Sequence, residues 1–152
     1  MTEPATPQDT IVVDLDGTLA LMEHRLHHIN GEEPADWDAF FEACDGDEPN
    51  WPIIELVRGL ADAYSIVVCS GRNAQVVEKT KDWLAKHRVP YDQLIMRPPE
   101  ERRPDHALKG MWVQAGYIAF DRIAFVLEDR SSVVAMWRSL GLTCLQVREG
   151  DF

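Results

Sequence analysis

The sequence is short of several things, and each shortage removes a class of protein. It holds only three cysteines, Cys44, Cys69 and Cys144. An odd, scattered set excludes a disulfide framework and matches no zinc spacing, so they read as reduced core residues. No apolar run is long enough to cross a membrane, and the polar, proline-bearing start MTEPATPQD is unlike a signal peptide. The expectation is a cytoplasmic protein with no membrane role. Repeats and low-complexity tracts are absent. Bases are scarce where acids crowd: residues 1–50 carry thirteen acids and one base, Arg25, whereas residues 51–152 carry thirteen acids and fourteen bases. With a net charge of −11, a wide cationic track for a nucleic-acid backbone is not expected. A pocket gripping one phosphate is still allowed. No GxxxxGKS or GxxxxGKT phosphate loop occurs anywhere.

What is present fits one domain over residues 1–152, long enough for a real core. Strand candidates recur at 10–15, 64–69, 94–96, 122–127 and 143–147. Helical stripes lie between them. Ile53, Val57 and Leu60 follow Pro52, a good first-turn residue. Val76, Val77, Thr80, Trp83 and Leu84 form a second stripe; Ala107, Leu108, Met111, Trp112 and Ala115 a third, closed by Gly116; Val133, Val134, Trp137 and Leu140 a fourth, closed by Gly141. Short apolar strands alternating with amphipathic helices predict an α/β fold, a parallel sheet covered by helices on both faces. Residues 20–50 break that rhythm as an acidic insert after the first strand. Trp37, Phe40, Phe41 and Cys44 have helical spacing there, so the insert is expected to be a small helical lid, too short for a domain of its own.

Chemistry gathers where the strands end, which is where open parallel sheets bind ligands. The stretch IVVDLDGTLA closes the first strand with Asp14 and Asp16, two apart. Ser70, Gly71 and Arg72 follow the second strand and are expected to open a helix; Glu128, Asp129 and Arg130 follow the fourth strand, and Lys109 lies on the helix before it. Crowded carboxylates are tolerable around a hard cation, and Mg²⁺ takes oxygen ligands. Helix N-terminal amides, a hydroxyl and a lysine suit a phosphate.

In order, DLDGT, SGR, Lys109 and ED resemble the four motifs of the haloacid dehalogenase superfamily of phosphotransferases, and they span the chain after about residue 10. The resemblance implies a Rossmann-like sheet with a lid, and a Mg²⁺-dependent phosphatase. It makes Asp14 the nucleophile that takes the phosphoryl group, and Asp16 the acid and then the base. Thr18, Ser70, Gly71 and Lys109 would hold the phosphate, and Asp14, Asp16, Glu128 and Asp129 the metal. Where two aspartates are usual this chain has Glu128 and Asp129; Asp129 fits the inner metal position and Glu128, one methylene longer, would orient a metal-bound water.

The end of the chain, LEDRSSVVAMWRSLGLTCLQVREGDF, is similar to the phosphatase half of T-even phage polynucleotide kinase/phosphatases. That resemblance implies substrate-binding arginines at Arg25, Arg72 and Arg97, and a 3′-phosphate on a nucleic-acid end or nucleotide as substrate. With no phosphate loop the kinase half is missing, so a repair kinase or ligase would be a partner. Two other readings compete: a phosphatase of free nucleotides or other small monoesters, and a silent docking domain, which intact Asp14, Asp16, Ser70, Lys109 and Asp129 oppose. His24, His27 and His28 lack metal spacing. Arg102 and Arg103, in the loop RPPEERRPD, could touch a substrate backbone. The tryptophans read as core, Trp51 being the one considered as a base-stacking platform.

Overall fold

A computed structural model describes residues 6–31 and 33–150. Five strands form the predicted parallel sheet: β1 (Thr10–Val13), β4 (Ser65–Asn73), β5 (Gln93–Arg97), β6 (Ile123–Glu128) and β7 (Cys144–Gln146), in the order β5-β4-β1-β6-β7. Because successive strand residues point to opposite faces, β1 feeds two cores. Ile11 and Val13, with Ile66 and Val68, pack under α2 (Trp51–Leu60) and α3 (Val77–Lys86), where Ile54, Val57, Trp83 and Leu84 are buried. Val12, Val67 and Cys69 face α4 (Asp105–Gln114) and α5 (Ser131–Ser139), against Leu108, Trp112, Val134 and Trp137. All three cysteines are buried and free, as their composition predicts.

Two details depart from the sequence reading. Strand β4 does not stop before SGR but runs through it to Asn73, with an irregularity between Ser70 and Asn73 where it pairs with β5. The Asn73 carboxamide then accepts from the Gln75 N–H (2.9 Å), starting a short 3₁₀ turn at Ala74–Val76 before α3. The strand therefore runs four residues past the end at 69 that the sequence predicts. Trp37 and Trp51 are not core: they stay 52% and 47% exposed, while Trp83, Trp112 and Trp137 are buried.

The insert is a lid-sized structure standing on a two-stranded ladder. Strands β2 (Ala20–Leu21) and β3 (Glu48–Pro49) pair antiparallel, so the chain leaves and re-enters the domain side by side. Between them lie a 3₁₀ helix at Glu23–His28, α1 (Trp37–Glu42) and a 3₁₀ turn at Ala43–Gly46. Helix α1 begins at Asp36, whose carboxylate accepts from the Ala39 N–H (3.0 Å), an N-cap of the usual kind. No helix among the described residues is long and apolar enough to cross a membrane.

Candidate active site

Strand order reverses around β1, and the crevice beyond the carboxyl ends of β1 and β6 is where such sheets place ligands. The turn after β1 is tight. The Leu15 carbonyl accepts from the Leu19 (2.9 Å) and Ala20 (3.0 Å) N–H groups, and Gly17 adopts φ +88°. This folds Thr18 back so that its hydroxyl donates to Asp14 Oδ2 (3.0 Å).

The two aspartates of the first motif part company. Asp14 joins an acidic cluster: Lys109 Nζ donates to Asp14 Oδ1 (2.7 Å) and to Glu128 Oε2 (2.8 Å), and the ligand atoms of Asp14, Glu128 and Asp129 lie within 4.8 Å of one another. Burial first, then Glu128 and Asp129, push the Asp14 carboxyl well above its usual range, although Lys109 opposes them. Burial lifts Asp129 to about 6. Lys109 is itself buried, yet its two carboxylates hold it protonated.

Asp16 points the other way, into a pair of guanidinium groups. Its Oδ1 accepts from Arg25 Nη2 (2.7 Å) and Arg72 Nη2 (2.5 Å). Burial alone would raise its pKa, but Arg72 and Arg25 together hold it down to about 2. The carboxylate of Asp16 is therefore not among the clustered acids, where the sequence places it as a metal ligand. Like-charge crowding at the first motif is relieved by the arginines on one side and by Lys109 on the other.

Fully ionised, as a bound cation would make them, three carboxylates against one ammonium would carry a surplus of two negative charges, and Asp129 Oδ2 is buried with no hydrogen-bond partner. A buried, unpartnered carboxylate oxygen is costly. Hard oxygen donors with that surplus fit a divalent cation such as Mg²⁺. Gly17 keeps the place clear, because a Cβ there would overlap Asp129 Oδ2.

The other predicted residues are at the site in unequal ways. Ser70 is buried, and its hydroxyl accepts from the Arg72 N–H (3.1 Å). Gly71 and Arg72 line an open cavity of about 1070 Å³ together with Asp14 and Asp16. Arg25 is fully buried and reaches Asp16 from behind, with its Nη1 donating to the Phe40 carbonyl (3.2 Å). Arg97 lines the cavity but is occupied as a brace. It donates to the carbonyls of Gly71 (2.8 Å), Glu101 (3.3 Å) and Arg103 (2.7 Å) and to Asp105 Oδ1 (2.5 Å). Trp51 is not part of the cavity wall; its ring packs near His87 and Arg58.

Sequence reasoning missed two acids. Asp47 is fully buried at its side chain and forks onto Arg25, Nε to Oδ1 and Nη2 to Oδ2, both 2.7 Å; its Oδ2 also accepts from Arg72 (3.2 Å). Nothing local marks it within the acidic run. Asp105 accepts from Arg97 and from Arg130 Nη1 (2.9 Å). It precedes Lys109 by four residues on α4, one turn away on the same face, a signal the sequence did offer.

A buried carboxylate held by an ammonium and a hydroxyl, a second carboxylate next to it, and a cluster of acids able to hold a cation, all at the ends of a parallel sheet, agree with what comparison with known proteins shows, a phosphatase domain of the haloacid dehalogenase superfamily. An enzyme of this superfamily from Bacteroides thetaiotaomicron, solved with magnesium and inorganic phosphate, shares the fold alone: TM-score 0.58 and 11% identity over 95% of this chain and 96% of that one. Within the superfamily, the chain belongs to the polynucleotide kinase PNKP phosphatase domain family, whose model matches residues 8–152. It is 31% identical to a chain of the Pnkp1/Rnl/Hen1 complex, with a TM-score of 0.79, covering all of this chain and 50% of that one. A second structure, of the Pnkp1/Rnl/Hen1 RNA repair complex, gives 30% identity and TM-score 0.79 over 100% and 48%. The chain thus spans about half the length of these solved relatives.

Proposed function

We propose that the protein removes terminal 3′-phosphates from polynucleotide ends or nucleotides, by way of an aspartyl-phosphate on Asp14. The observation that carries the substrate class is the similarity, over the full length of this chain, to a chain of an RNA repair complex. The geometry supports the chemistry. Asp14 lines the cavity with Asp16 beside it, and Lys109 and Thr18 fix its two oxygens.

In the first step an Asp14 oxygen bonds to phosphorus while the bond from phosphorus to the 3′ oxygen breaks. That oxygen takes a proton from Asp16, which can carry one only once Arg72 has turned from it onto phosphate oxygens and so relaxed the pair of cations that holds it ionised. In the second, Asp16 takes a proton from water, whose oxygen attacks phosphorus and releases phosphate with Asp14 restored. Arg72, on the cavity wall and already on Asp16, is placed to turn onto phosphate oxygens. Arg25, fully buried, acts by holding Asp16 and the insert together. Asp14, Glu128 and Asp129 would hold Mg²⁺, which when bound neutralises charge on the phosphoryl group.

Transfer of phosphate from ATP is not expected of this chain, and a repair kinase or ligase is the partner that would complete the pathway. Free, buried cysteines are in keeping with the cytoplasm. The test is phosphate release from matched 3′- and 5′-phosphorylated oligonucleotides and mononucleotides. Faster release from the 3′ isomers is expected; a clear preference for 5′-mononucleotides would replace this reading with a nucleotidase.

A further inference from the structure

An end-processing phosphatase with a net charge of −11 has little backbone attraction to draw on, since electrostatic affinity for nucleic acid depends on neutralising many phosphates. Affinity beyond the phosphate must come from another source, and the insert supplies one. Trp37 is half exposed, unusual for so large an apolar ring, and with Phe40 and Phe41 forms one part of the lining of the active-site cavity. The three rings brace each other. Trp37 meets Phe40 edge-on (centroids 5.7 Å, 82°) and Phe41 at a tilt (6.0 Å, 32°). Phe40 in turn lies under the Arg25 guanidinium, 4.3 Å from its centre, and Arg25 is on Asp16. One buried side chain thus links the reacting end of the cavity to the aromatic wall.

The wall is also held in place from outside. Lys79 Nζ, on α3, donates to the Glu42 carbonyl (2.7 Å) and carboxylate (2.9 Å) at the end of α1. The insert's charge is partly compensated near the cavity, where Glu23 accepts from Arg148 (2.8 Å). A ring fixed from behind and open in front, in a cavity shared with a phosphate site, is a stacking platform.

We propose that Trp37 stacks on a nucleobase of the substrate's phosphorylated end, and that this contact, more than backbone charge, makes the enzyme prefer nucleotide phosphates. The inference rests on the nucleotide reading above. It assigns to Trp37 the role that the sequence offers to Trp51.

The test compares a 3′-phosphorylated trinucleotide with the same trinucleotide lacking its bases. The wild-type protein should favour the base-bearing form in kcat/KM by about five- to a hundredfold, the range that one stacked base supplies. Trp37→Ala should bring that ratio close to one and Trp37→Phe should keep part of it, whereas Trp51→Ala should leave it unchanged. Indole fluorescence supplies a readout independent of turnover. The trinucleotide should quench the Asp14→Asn protein, and much less the protein that also carries Trp37→Phe. Hydrolysis with no base preference, and no quenching through Trp37, would overturn the stacking and leave the phosphatase reading standing. The same flat result is expected if Trp37 is instead covered by a protein partner. Quenching through Trp37 without hydrolysis would uphold the stacking and reject the substrate reading; neither signal would reject both.

Discussion

Asp47 and Arg25 form a two-pronged ion pair with no solvent access on either side chain, each prong 2.7 Å. Asp47 sits at the end of the insert and Arg25 near its beginning, so the pair closes the lid on itself. Its outer face then reaches Arg72 (3.2 Å) on the sheet.

Removing one partner of such a pair leaves a buried charge unmatched. Asp47→Ala is expected to lower stability by about 3–5 kcal/mol and to lower activity, since Arg25 and Arg72 would lose the group that aims them. Urea unfolding with parallel activity assays checks both. An unchanged midpoint would show that the lid is held by other contacts.

Gly17→Ala should be far more damaging than an alanine at an open glycine such as Gly59. At Gly17 the backbone has φ +88° and the new methyl would strike Asp129 Oδ2; at Gly59 nothing lies within 4 Å. The expected outcome is a higher Mg²⁺ requirement with lost turnover, seen in a metal titration of both variants.

Asp14→Asn should abolish turnover, because an amide does not attack phosphorus, while phosphate binding survives. Asp16→Asn should cost roughly 10²–10⁴-fold, the usual worth of general acid–base catalysis. Single-turnover assays on a freshly purified protein decide the matter. Near wild-type rates in Asp14→Asn would refute the nucleophile assignment.

EDTA should remove activity and Mg²⁺ restore it, with Ca²⁺ a poor substitute because its looser shell misplaces the attacking group. Asp129→Asn should raise the metal requirement more than Glu128→Gln. Asp129 Oδ2 has no protein partner, whereas Glu128 Oε2 is taken by Lys109 and Oε1 by the Asp129 and Arg130 N–H groups. The opposite order in the titration would exchange the two roles.

Arg97→Ala should reduce kcat/KM by a similar factor, of order 10²-fold for a site displaced by about an ångström, on a nucleotide and on a small chromogenic ester alike. Its guanidinium fastens Gly71 to the 98–105 loop. A loss confined to the nucleotide would instead make it a reader of the substrate.

The sheet and the acids gathered at its strand ends are legible because they follow short-range rules. Branched apolar runs end in acids at β1 and β6, and a parallel sheet brings those ends together. What escaped the sequence was pairing across distance. Asp47 looks like one more acid in a solvated run, and only the folded insert sets it against Arg25 and Arg72. The extent of β4 escaped as well, since its pairing with β5 at Asn73 and Arg97 overrides a local helix signal. Trp37 and Trp51 are indistinguishable as isolated aromatics; their separation into cavity wall and outer surface is set by where α1 and α2 lie. The different partners of Asp14 and Asp16, Lys109 for one and Arg25 with Arg72 for the other, are likewise set by the fold and not by their spacing of two.

The ladder between Ala20–Leu21 and Glu48–Pro49 makes the insert a detachable part in the architectural sense. Its two ends are neighbours, so a lid of another length or composition could be spliced at the same seam without rerouting β1 or α2. The exchange has one condition. Because Arg25 and Asp47 travel with the insert yet complete the surroundings of Asp16, a transplanted lid must bring its own cation and the acid that aims it. A graft that ignores this would leave Asp16 facing Arg72 alone and is expected to cost activity.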